Sequence, residues 1–163
     1  KAAEKVLLSV RPYIRLINSS KYIEDLANGE ICLALGWSGD TLQARDRASE
    51  AQKPFTIKYN IPKEGAVMFF DNMAIPADAS HVKNAHLFIN YMLRPEVAAD
   101  NTNITGYATA NQVAVEKYID PQVAGNPAIY PPAEALARVT FLETIPDDLL
   151  PLYEDIWTRV LGA

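Results

Sequence analysis

Apolar and polar positions change period several times along the chain. Residues 2–10 carry a helical pattern, and Ser19-Ser20 can cap a short helix to Ala27 that Gly29 stops. Ile31-Cys32-Leu33-Ala34-Leu35 is an unbroken apolar run between turn signals. Such a run predicts a strand buried on both faces of a mostly parallel sheet. It ends in Gly36-Trp37-Ser38-Gly39-Asp40, after which a polar helix is expected from Thr41 to about Gln52. Phe55–Tyr59, Ala66–Phe70 and Met73–Pro76 read as short strands around a turn at Pro62–Gly65.

Helical spacing returns over 80–93, where Ala85, Phe88, Ile89 and Met92 share a face. A helical turn or two follows at 95–101, and another helix runs from Asn111 through Val115. Pro131-Pro132 can start a helix over 133–138. A last helix is expected from about Pro146 to Leu161, with Leu149, Tyr153, Ile156, Trp157 and Val160 on one face. Short strands alternating with helices predict the α/β class.

The chain has 163 residues, 49% hydrophobic and 21% charged, with a formal net charge of -5. The acidic excess argues against nucleic acid or an anionic membrane surface as partner and is compatible with a cationic ligand. No apolar run approaches the roughly 20 residues that span a bilayer. Cys32 is the one cysteine, so an intrachain disulfide and a cysteine-rich metal site are excluded, and its apolar neighbours predict a small buried hydrophobe. His81 and His86 lack a third ligand at useful spacing, so no metal or cofactor is expected. The opening Lys1-Ala2-Ala3-Glu4-Lys5, already helical in pattern, is read as cut from a longer chain.

Three segments carry candidate chemistry. Trp37-Ser38-Gly39-Asp40 lies between an expected strand and a helix, where open α/β sheets bind ligands. Asp40, read as the helix cap, makes that helix start a place for a cation rather than a phosphate. The plainer reading leaves Asp40 an ordinary cap and Trp37 a core residue. In Phe69-Phe70-Asp71-Asn72, strand alternation sends Phe69 and Asp71 to one face. A ring and a carboxylate side by side favour an ammonium group, although a strand-end aspartate can equally accept backbone hydrogen bonds. Tyr107, after Gly106, is a further candidate that would also suit ordinary packing. Nothing pairs a nucleophile with a base: Ser38 sits in Gly-Trp-Ser-Gly-Asp, not in a Gly-x-Ser-x-Gly elbow. Asp40 and Asp71 as a hydrolytic carboxylate pair remain a formal alternative.

Taken together, Asn18–Gly29, Trp37–Asp40, Phe69–Asn72, Tyr107–Asn111 and Asn126–Pro132 resemble, in order, the periplasmic putrescine/spermidine-binding proteins of ABC importers. The resemblance implies a two-lobed, periplasmic-binding-protein-like fold (type II), present here as the C-terminal portion of both lobes. Residues 1–49 and 120–163 would belong to the second lobe and 50–119 to the first. It further implies a non-catalytic, periplasmic role in polyamine transport. Trp37, Phe69 and Tyr107 would line the methylene chain of putrescine, and Asp40 and Asp71 would pair with its ammonium groups. An aspartate at position 40 tilts the expected ligand toward a diamine over spermidine. Expected partners are the polyamine, an ABC transporter permease and the N-terminal half of the same protein. A sensor that reports polyamine without feeding an importer is a further alternative. The 163 residues alone are expected to expose apolar surface, to associate and to bind polyamine poorly.

Overall fold

The computed structural model describes residues 1–162 and divides into two compact units, one of residues 1–19 with the stretch from Leu142 onward, the other of residues 20–141.

In the first unit, α1 (Ala2–Val10) is followed by a 3-10 turn over Arg11–Tyr13 and meets α9 (Leu150–Leu161). Arg11 Nε donates to the Val160 carbonyl at 2.8 Å, and Arg159 Nε reaches Glu4 Oε1 at 2.7 Å. On the expected apolar face of α9, Val160 is buried, whereas Tyr153 and Trp157 stay about half exposed.

A 3-10 turn over Asp147–Leu149 precedes α9 in the first unit, and the second unit holds the other helices and both strands. Helix α2 (Tyr22–Asn28) ends on Gly29, and α3 (Ser38–Glu50) packs against it. Tyr22, Leu26, Ala27 and Ala44 form a small core with Ile23, Ile31, Ala34 and Ile57 at its edge. The cap position of α2 is Lys21 rather than Ser19 or Ser20, and it makes no side-chain cap bond. The Ser20 carbonyl accepts from the Ile23 N–H at 3.2 Å. Helices α4 (Val82–Met92), α5 (Pro95–Thr105), α6 (Gln112–Lys117) and α7 (Pro121–Ala124) follow. A second core of Ala99, Ala114 and Ile119 joins α5 to α6. Helix α8 (Ala133–Leu136) then leads to the last strand.

The sheet is where pattern and structure part. Strand β1 (Ala66–Met68) pairs in parallel with β2 (Val139–Phe141), Ala66 opposite Val139. Gly65, at φ 108°, lets the two strands close: a Cβ there would stand 2.2 Å from the Arg138 carbonyl oxygen. Residues 55–59 and 73–76 form no strand, and β1 stops two residues short of Phe70. Ile31–Leu35 is not a strand either. Leu33 is 86% and Leu35 fully exposed, and Cys32 is exposed rather than buried. A strand exists only through a partner's backbone, and among the described residues none lies alongside 31–35.

Candidate functional site

Helix α3 begins earlier than its pattern predicts. Trp37, with extended backbone (φ −77°, ψ 148°), holds the cap position, so Asp40 is the third helical residue rather than the cap. Its carboxylate still lies in the first turn, where the helix end favours negative charge. The Thr41 N–H and Oγ1 both bond to the Trp37 carbonyl, at 3.1 and 3.0 Å, which fixes the turn.

Asp40 is held from two sides. Tyr107 Oη donates to Oδ1 at 2.9 Å and Tyr22 Oη donates to Oδ2 at 2.5 Å. Each carboxylate oxygen offers about two acceptor positions, so half of the acceptor capacity stays open for an incoming donor. Burial first, and the bond to Asp40 second, push the Tyr22 phenol up to about 12 and raise that of Tyr107 as well. Both phenols are therefore neutral donors at neutral pH.

The rings assemble around this carboxylate. Trp37 and Phe69 meet edge to face with centroids 4.7 Å apart, and Phe69 continues to Tyr107 at 6.5 Å. Such contacts suit the quadrupoles of the rings. Trp37 and Phe69 nevertheless remain 45% and 41% exposed, so the row presents an open aromatic wall rather than a closed core. Two glycines make the approach feasible. Gly106 ends α5 at φ 71° and turns the chain into Tyr107. Gly39 lies against the tyrosine ring, where a Cβ would be 2.3 Å from Tyr107 Cε2.

Four of the five expected residues thus converge: Trp37, Asp40, Phe69 and Tyr107. Asp71 is exposed two residues beyond Phe69, outside any strand, so strand alternation does not supply its orientation. It makes no hydrogen bond or ion pair among the described residues. The pattern missed Tyr22, which reads as a core position of α2. The usable signal was that a buried tyrosine hydroxyl requires a partner. An apolar groove lined by Met73, Ile75, Phe88 and Ile89 contains none of the five, and no cluster that could hold a metal exists among the described residues.

The motifs beyond the rings are scaffold. Asn111 Oδ1 caps α6 through the Ala114 N–H at 3.1 Å, while its Nδ2 donates to the Leu93 carbonyl at 2.9 Å. The Thr109 N–H donates to Tyr130 Oη at 3.3 Å, so the segment after Tyr107 is tied to Asn126–Pro132.

The model of the bacterial extracellular solute-binding protein family matches residues 2–131. The chain belongs to that family. Among relatives, the putrescine-binding periplasmic protein SpuD of Pseudomonas aeruginosa is 41% identical over 98% of this chain. The putrescine-binding periplasmic protein PotF of Escherichia coli is 44% identical over 97%. The chain spans less than half of each, 43% and 42% of their lengths. Among solved structures, a Listeria monocytogenes protein assigned as a spermidine/putrescine ABC transporter superposes with a TM-score of 0.80 at 30% identity. The Streptococcus pneumoniae substrate-binding protein PotD gives 0.77 at 26%. Each match covers 98% of this chain and 47% of the other. The α/β, periplasmic-binding-protein-like class is therefore the class of this chain, and none of these relatives is named as an enzyme.

Proposed function

We propose that this chain contributes one wall of the ligand cleft in the solute-binding component of an ABC polyamine importer, and that the ligand is putrescine. The observation that carries the reading is the pairing of one polar anchor with an aromatic wall: Asp40, with acceptor capacity to spare, beside Trp37, Phe69 and Tyr107. A linear diamine is apolar along its middle and charged at both ends. Rings suit the methylenes, and each cation–π contact contributes roughly 0.5–2 kcal/mol. Leaving one buried ammonium unpaired costs about 2–5 kcal/mol, so the carboxylates dominate specificity. Asp40 takes one ammonium, and the exposed, unpartnered Asp71 takes the other.

In this reading, residues 1–49 with 120–163 belong to one lobe and 50–119 to the other. The N-terminal half of the same protein supplies the facing wall, and the work is done in the periplasm with a membrane permease as docking partner. The names of the relatives support the ligand class, and they give no support to a hydrolase using Asp40 and Asp71. Calorimetry on the complete gene product, comparing putrescine, spermidine and arginine, tests the proposal. Tightest binding of putrescine is expected. Absence of heat with both polyamines would overturn the reading, and tighter spermidine binding would overturn the diamine assignment.

A further inference from the structure

Tyr22 lies 18 positions before Asp40, at the start of α2, and its ring is buried in the α2–α3 core. A core tyrosine needs one partner for its hydroxyl, and any backbone carbonyl would serve. This hydroxyl instead bridges two residues of the candidate site. It donates to Asp40 Oδ2 at 2.5 Å and accepts from the Trp37 N–H at 3.1 Å. Gly36 leaves the ring room to do so, because a Cβ there would stand 2.4 Å from Tyr22 Cε2 and 3.0 Å from its hydroxyl oxygen. Tyr107 meanwhile holds Oδ1. With a donor on each oxygen, any rotation or swing of the carboxylate toward a ligand breaks at least one of these bonds.

We propose that Tyr22 is a positioning residue that sets chain-length selectivity for diamines by pinning Asp40 as a fixed anchor. The inference rests on the reading of Asp40 as an ammonium partner. A fixed anchor accepts only the chain length whose second ammonium reaches the other end of the cleft. An anchor released on one side can follow a chain one methylene longer. Packing alone would give Tyr22 no such effect, since phenylalanine preserves the ring.

The test is a double-mutant cycle on the complete gene product, titrated with putrescine and its five-carbon homologue cadaverine, using Tyr22→Phe, Asp40→Ala and the pair. Loss of a hydrogen bond to a charged group predicts about a tenfold weaker putrescine affinity for Tyr22→Phe, with the putrescine-to-cadaverine ratio moving toward one. In the Asp40→Ala background, Tyr22→Phe should change affinity less than about twofold, because the group it positions is gone. Equal losses in both backgrounds, or an unchanged ratio, would overturn the positioning role while leaving the site intact. An Asp40→Ala protein that binds putrescine normally would instead sink the site assignment, and this inference with it. Should Tyr22→Phe fail to fold, Gly36→Ala keeps the tyrosine but crowds its ring edge, 2.4 Å from Cε2, and so pushes the ring and its hydroxyl away from Asp40, which should give the same change in ratio. A wild-type ratio there would count against the proposal.

Discussion

Gly39→Ala is the sharpest perturbation that the geometry offers. The added Cβ would lie 2.3, 2.5 and 2.7 Å from Cε2, Cδ2 and Cζ of Tyr107. Carbon atoms in contact prefer roughly 3.5–4.0 Å, so the ring has to retreat by about 1.2 Å. A shift of that size carries the 2.9 Å bond from Tyr107 to Asp40 beyond hydrogen-bonding range. Three effects compete. Alanine in place of a helical glycine stabilises by about 0.5–1 kcal/mol at most. Overpacking costs roughly 1–3 kcal/mol, and loss of a hydrogen bond to a charged group costs about 1.5–3 kcal/mol. The losses win. In the complete gene product, calorimetry should show putrescine affinity down at least about tenfold, and the thermal midpoint should fall. A variant with wild-type affinity and an unchanged or higher midpoint would refute the reasoning, because Tyr107 could then not be seated on Gly39 while holding Asp40.

Other outcomes follow from the same geometry. Asp71→Ala in the complete protein should cost about 2–5 kcal/mol of putrescine binding; a loss under about 1 kcal/mol, read by calorimetry, would remove Asp71 from the site. Asp40→Ser should move preference from putrescine toward spermidine, and an unchanged ratio of dissociation constants would separate position 40 from specificity. The Tyr22 pKa, pushed up to about 12, lies above the unfolded value near 10, so the fold favours the neutral phenol. Its contribution is complete below about pH 10 and lost as pH rises through about 12. Urea midpoints should fall across that window, less steeply in Tyr22→Phe, and identical slopes would contradict the burial of this phenol. The 163-residue chain by itself, with Leu33, Leu35 and Phe70 uncovered, should associate in sedimentation and bind putrescine poorly. A monomer that melts cooperatively and binds putrescine at submicromolar concentration would contradict this.

What the sequence disclosed depended on how local the signal was. The end of α2 at Gly29, the start of α5 at Pro95 and the periodic faces of α4 and α9 were legible because helices are written in neighbouring residues. Ile31–Leu35 was misread because a strand needs a partner from elsewhere, and β2 passed unnoticed because Val139–Phe141 is too short to show a period. At the site, Trp37, Asp40, Phe69 and Tyr107 were legible as residue types beside turns. Their convergence was carried by resemblance, since positions 37 and 107 lie far apart in the chain. Asp40 was placed at the cap because Gly39 reads as a turn. In the fold it is a helical residue kept bare so that Tyr107 can lie against it. Tyr22 escaped because its ring follows the core pattern while its hydroxyl serves the site.

The most direct measurement is a crystal structure of the complete gene product grown with putrescine. The account predicts one ammonium nitrogen within hydrogen-bonding distance of Asp40, the other beside Asp71, and the methylenes against Trp37, Phe69 and Tyr107. Putrescine bound away from the Asp40 carboxylate, with the Tyr22–Asp40–Tyr107 triad untouched by ligand, would contradict it.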